Sequence, residues 1–170
     1  ECYEELKRNC ASDEALGRAR YAMVELENIM DESQKFEPIH RIIDACDVDK
    51  LLSYLKESCC TDKGYEIKYF SGQNESVIYL DPAKGVLPIG ILQSALDDYL
   101  SQNPGEIDYI HGEDTLRELA KKPQAIGFAL EALPKDDFFR GIANDGVLPR
   151  KTFSMGEAQE KRYYIEARKI

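Results

Sequence analysis

Long apolar runs are missing from this chain of 170 residues. None approaches the roughly 20 residues that a bilayer-spanning helix needs, and no stretch reads as a signal peptide. Histidine is scarce: His40 and His111 are the two copies, too far apart in sequence for metal-ligand spacing. The five cysteines, Cys2, Cys10, Cys46, Cys59 and Cys60, are odd in number and show no paired metal spacing either. No metal site is expected. The cysteines read as reduced thiols in a cytoplasmic protein. Positive charge is also short, with 22 Lys and Arg against 32 Asp and Glu, a formal charge of −10. That balance argues against broad binding to nucleic acid, which depends on cations neutralising phosphates.

What is present suits a folded domain. A hydrophobic fraction of 43% with 32% charged residues describes a globular protein rather than a disordered one. The length is enough for one substantial core. No repeat or low-complexity linker interrupts the chain. The expectation is a single α+β domain over 1–170, with 44–106 as a candidate subdomain. The chain opens at Glu1 in helical periodicity without a methionine, which reads as an excised piece of a larger protein.

Periodicity supplies the elements. Cys2–Leu16 has helical spacing and is expected to end near Gly17. Tyr21–Ile29 and Phe36–Ile43 read as strands, Pro38 holding Glu37 extended. Asp47 is a natural N-cap for a helix burying Val48, Leu51, Leu52 and Leu55. Tyr65–Tyr69 and Val77–Leu80 form a hairpin around Gly72 and Asn74. Pro88 opens a helix whose buried stripe is Ile91, Leu92, Ala95, Leu96, Tyr99 and Leu100, and Asn103-Pro104-Gly105 stops it. A strand (107–110), a helix (113–121), a strand (125–130), a helix (136–143) and a strand around Tyr163–Ala167 follow. Helices packed on one mixed β-sheet are expected.

Two clusters carry candidate chemistry. In Glu37-Pro38-Ile39-His40-Arg41, a near-neutral imidazole can exchange a proton and a guanidinium can hold phosphate or carboxylate in two prongs. The plainer reading places His40 at a strand end and pairs Arg41 with Glu37. Arg150, Lys151, Thr152 and Ser154 offer two cations and two hydroxyls, with Gly146 and Gly156 letting the backbone bend around an anion. This is not a Walker A loop, whose spacing is absent. Its plainer reading is a basic turn with local hydroxyl-to-backbone bonds. Pro149–Ile170 holds six cations and three anions, which leaves −13 for the preceding residues. His111-Gly112 reads as a turn before a helix, and Cys59–Cys60 as ordinary thiols at a helix end. Asp97-Asp98 and Asp136-Asp137 read as solvated helix-surface or helix-start acids.

The stretches ARYAMVELENI, FEPIHRII, YIHGEDTLRELA, AIGFALEAL and DGVLPRKTFSMGEAQEKRYYIEARKI resemble the C-terminal half of domain-of-unknown-function family 1015. The likeness covers roughly 19–43 and 107–170; between them only the general pattern agrees. It implies a fold related to the ParB/sulfiredoxin-like superfamily, some members of which bind nucleotides. It also implies an upstream half with an Asp-Gly and a histidine-containing motif, which has no counterpart in these 170 residues. By that analogy the intact protein is a phosphotransferase using a nucleotide with Mg²⁺, and the missing half is a partner of this one. His40 would be the acid/base or phosphate contact. Arg41 and Lys151 would neutralise charge, with Glu37, Arg150, Thr152 and Ser154 completing a site for a small phosphorylated or carboxylated molecule. The alternative is a non-catalytic binding or assembly module. The first reading expects His40–Arg41 and the Arg150–Ser154 turn to edge one hollow, whereas in the alternative the same residues stabilise a turn or a subunit contact.

Overall fold

The computed structural model describes residues 2–9, 12–21 and 28–155. It divides into two compact units, Glu1–Asp31 and Glu32–Ile170. The candidate subdomain 44–106 shares its sheet and core with later strands and is no separate body.

In the first unit, α1 (Cys2–Arg8) and α2 (Asp13–Ala19) replace the single helix expected over Cys2–Leu16. Ser12 explains the division. Its side chain accepts from the Ala15 amide at 3.3 Å and starts a second helix, which runs through Gly17. The strand expected over Tyr21–Ile29 falls mainly on 22–27, and the one around Tyr163–Ala167 falls wholly beyond residue 155. Both lie outside the described residues.

The second unit runs β1 (Phe36–Asp44), α3 (Val48–Ser58), β2 (Cys60–Ser71), β3 (Asn74–Leu80), α4 (Pro88–Leu100), β4 (Glu106–His111), α5 (Glu113–Leu119), β5 (Ile126–Ala129), α6 (Lys135–Asp145) and β6 (Phe153–Met155). Local chemistry sets several boundaries. Asp47 accepts from the Lys50 amide at 3.0 Å and starts α3. Pro88 occupies the first turn of α4, where its missing N–H costs nothing. Gly72, at φ 62°, turns β2 into β3.

The α+β class is as expected, but the sheet differs from the mixed one predicted. Its order is β3-β2-β5-β1-β4, with β6 on the start of β1, and every described ladder is antiparallel. The reason lies in the helical connections. β1 and β2, joined by α3, are both antiparallel to β5, which sits between them. β4 and β5, joined by α5, likewise flank β1. Each helix therefore links strands of like direction, and a third strand fills the gap in each case, as in split β-α-β units.

Alternation along the strands makes two buried faces. Ile43, Ile67, Ile126 and Phe128 pack with Leu51 and Leu55 of α3 and Leu92 and Leu96 of α4. Ile42, Phe70 and Ala129 pack on the opposite face with Leu116 of α5 and Ala120. Burying one such leucine stabilises by about 2 kcal/mol. Gly127 lets α5 come close, since a Cβ there would lie 2.8 Å from the Leu116 side chain.

Candidate functional site

The two sequence clusters meet, but through backbone pairing. In the β1–β6 ladder Glu37 stands opposite Ser154 and Pro38 opposite Phe153. Phe36 stacks on Phe153 with ring centroids 4.1 Å apart, and Phe138 of α6 lies 6.0 and 5.9 Å from the two. This aromatic cluster clamps residues distant in sequence.

Arg41 completes the junction from inside. It is fully buried on the α4 face of the sheet. Nη1 donates to the carbonyls of Ile39 at 2.6 Å and Lys151 at 2.9 Å, Nη2 to that of Arg150 at 3.1 Å, and Nε to Gln93 Oε1 at 3.0 Å. Every one of these acceptors is neutral. The chain reaches a carboxylate only one step further, where Gln93 Nε2 donates to Asp97 Oδ1 at 2.8 Å. Burial is the chief reason the guanidinium is pushed down to about 10; Tyr109 and Asp97 oppose that, and Arg150 adds to it. Arg41 is thus an internal strut whose charge no contacting acid among the described residues cancels.

Tyr109 of β4 brings a second guanidinium beside the first. Its ring centroid is 4.8 Å from the Arg41 guanidinium carbon and 5.3 Å from that of Arg150, within cation–π range. Arg150 Nε also donates to the Tyr109 hydroxyl at 2.8 Å. Lys151 adopts φ 57°, uncommon for a residue with a Cβ, and turns its carbonyl toward Arg41 while its side chain stays exposed. Thr152 Oγ1 donates to the Pro149 carbonyl at 2.6 Å, which is the local bond of the plainer reading. Thr152 also lines a separate cavity of about 290 Å³.

His40 does not join this group. As the neighbour of Arg41 on one strand, it points to the opposite face of the sheet. It is buried, and its Nδ1 accepts from the Leu130 amide at 3.1 Å. Burial, the largest influence, lowers its pKa; Glu113 pulls it up, while His111 and Arg41 lower it further. A buried imidazole holding a backbone amide has a structural task, and the expected hollow shared with the Arg150–Ser154 turn is not formed.

A cleft of about 940 Å³ instead runs beside α4, on the Arg41 side of the sheet. Tyr54 and Cys59 come from the α3 side, Gly90, Ser94, Asp97 and Asp98 from α4, and Asn144–Arg150 from the end of α6 and the segment after it. Lys84 and Arg150 are its cations. Asp145 shapes it: its carboxylate accepts from the Val86 amide at 3.0 and 2.9 Å and from the Leu87 amide at 2.8 Å. Leu87 is the N-cap of α4 and has no side-chain cap of its own, so Asp145 ties the end of α6 to the approach to α4.

Of the expected site residues, only Arg150 lines this cleft, with Arg41 and the Lys151 carbonyl behind it. Tyr109, Gln93, Lys84 and Cys59 were not singled out by sequence as parts of one site. Gln93 reads as an ordinary polar helix residue until its burial is known. Among the described residues no group of three or more His, Cys, Asp or Glu could hold a metal ion. No protein-family model, curated protein or solved structure matches this chain.

Proposed function

We propose that this chain is a binding module whose cleft beside α4 takes a small phosphorylated or carboxylated molecule. One observation carries the reading: two guanidiniums, one of them Arg150 at the cleft wall, share the Tyr109 ring, and among the described residues the buried one touches no carboxylate. Burying a charge is costly unless something opposes it, and an anion beside Arg150 would do so. The acids of the cleft are mostly engaged. Asp97 accepts from Gln93 and Asp145 from two backbone amides, and Asp98 lines the cleft with Lys84 and Arg150. The resemblance to family 1015 spans Arg41, Tyr109 and Asn144–Arg150, the residues on which this reading rests. With His40 turned to the other face, binding is favoured over proton transfer by that residue.

The test is a thermal-shift series on the full chain with phosphate, pyrophosphate, citrate and ATP, against a chloride control of matched ionic strength. A ligand held at a hundred times its Kd stabilises by about 2.7 kcal/mol. At least one anion should raise Tm, and Arg150→Ala and Lys84→Ala, both at exposed positions, should each reduce that shift. Absence of a shift with every anion, or equal shifts in wild type and both variants, would rule the reading out.

A further inference from the structure

The sheet stops short between β2 and the chain that leaves β5. Lys68, Tyr69 and Phe70 of β2 pair with Ala129, Phe128 and Gly127. Continued in the same register, the ladder would set Ile67 against Leu130, Glu66 against Glu131 and Tyr65 against Ala132. None of these pairs forms. Tyr65–Ile67 are paired to β3 on one side, and on the other no described strand lies against them. Leu130 gives its amide to His40 Nδ1 instead, at 3.1 Å. Beyond it, the amides of Glu131, Ala132 and Leu133 have no hydrogen-bond partner among the described residues.

The cavity of about 290 Å³ has both of these flanks in its wall, together with Val86–Ile89 at the approach to α4. Ile67, Leu87, Ile89 and Leu130 make its buried apolar part. Sites for small molecules run from about 300 to 1,000 Å³, so this one has room for one or two side chains. Most polar groups of the wall are engaged. The Tyr65 hydroxyl donates to the Val86 carbonyl at 3.0 Å, Arg140 pairs with Asp137 at 2.6 Å, and Thr152 keeps its bond to Pro149. Glu66 and Glu131 differ: both are exposed, and neither carboxylate has an ion pair or hydrogen bond among the described residues.

We propose that this gap is a docking slot for an extended peptide segment of another protein, one in which apolar side chains alternate with lysine or arginine. Two features select that occupant. An unpaired strand flank is a template for one more strand, because its N–H and C=O groups repeat at the spacing that any extended chain presents. Side chains of a docked strand then alternate between the two faces of the sheet. One set enters the apolar cavity on the side of Ile67. The other set emerges on the side of Glu66, where cations meet uncompensated carboxylates. Of the charged residues in the described wall, Glu66, Glu131 and Asp137 stand against Arg140 alone. The anion reading rests on other residues, Arg41, Lys84, Tyr109 and Arg150.

The probe is a dye-labelled, acetylated and amidated peptide of about nine residues alternating lysine with valine, a length that spans the short flank with room to spare. The full chain is titrated into it and binding is read by fluorescence anisotropy. Two control peptides change one feature each. In the first, glutamate replaces lysine; in the second, alternate backbone nitrogens are methylated, which removes donors and keeps the side chains. Hydrogen exchange read by mass spectrometry locates the contact.

Saturable binding of the lysine–valine peptide is expected, about tenfold weaker for each control, with slowed exchange over 130–133. Glu66→Lys and Glu131→Lys, exposed changes that spare the core, should each weaken binding several-fold, a difference that shrinks as salt is added. Absence of saturable binding, full affinity for the methylated peptide, indifference to both charge reversals, or slowed exchange confined elsewhere would overturn the proposal. So would the same slowing over 130–133 produced without peptide, by raising the protein concentration or adding octanoate. Those results would assign the gap to a second copy of the chain or to a small apolar acid. The anion series is independent, since neither Lys84 nor Arg150 lines this cavity.

Discussion

Arg41 Nη1 lies 2.9 Å from the carbonyl oxygen of Lys151, a bond between residues 110 positions apart in the chain. It joins the central part of β1 to the turn that forms the end of the cleft. The guanidinium is out of water, and its other donors reach Ile39, Arg150 and Gln93. Removing it would strand three buried or half-buried carbonyls and the Gln93 amide oxygen together.

Arg41→Met is therefore expected to lower stability by about 3 kcal/mol in urea denaturation, the scale seen when one side of a buried charged network is deleted. Arg41→Lys should recover only part of this, because an ammonium cannot fork across the same acceptors. The measurement is the urea midpoint at unchanged slope. A methionine variant as stable as wild type would show that packing, rather than the guanidinium, holds the turn.

The sign of the His40 shift gives a pH dependence. Burial lowers its folded pKa, whereas the unfolded chain titrates near the ordinary value of about 6.5. In the window below that value the unfolded state binds the proton first, so stability falls as pH falls. Above about pH 6.5 the contribution is constant. Protonation would also abolish the lone pair that accepts from the Leu130 amide. His40→Asn keeps an acceptor at the same distance along the side chain and removes the titration. Its stability should decline less than that of wild type between pH 7 and pH 5, read by thermal melts at fixed ionic strength. Parallel pH profiles for the two proteins would exclude His40 as the origin.

Much of this fold is legible in the sequence where local chemistry decides. The Asp47 cap, the Pro88 start, the Gly72 hairpin and the Leu51–Leu55 stripe each follow from short-range rules, and the structure agrees. Strand partners are another matter. That β5 slips between β1 and β2 depends on packing across more than eighty residues, which no local pattern encodes. The candidate site divides in the same way. The sequence suggests a hollow edged by His40–Arg41 and Arg150–Ser154, whereas the structure joins the two segments by the β1–β6 ladder and the Arg41 bonds. Strand alternation already puts His40 and Arg41 on opposite faces, a signal present in the sequence and outweighed by the attraction of a histidine beside an arginine. Gln93 gave no such signal, since only the buried position of its helix face identifies it as Arg41's partner.

Asp145 offers a test of how the cleft is held together. Its carboxylate takes the Val86 and Leu87 amides just ahead of α4, and Gly146 at φ 84° then turns the chain toward Arg150. Capping bonds of this kind are worth about 1–2 kcal/mol, with the upper end reached when the acceptor is charged. Asp145→Ala should lose about that much in urea denaturation, and Asp145→Asn, which keeps one acceptor oxygen, should lose less. The second readout is specific to the cleft. If Asp145 fixes the 144–150 wall, the alanine variant should also lose part of any anion-induced rise in Tm, beyond its lower starting point. A variant destabilised as expected but with the full anion response would confine Asp145 to capping and leave the position of Arg150 to Arg41 and Tyr109.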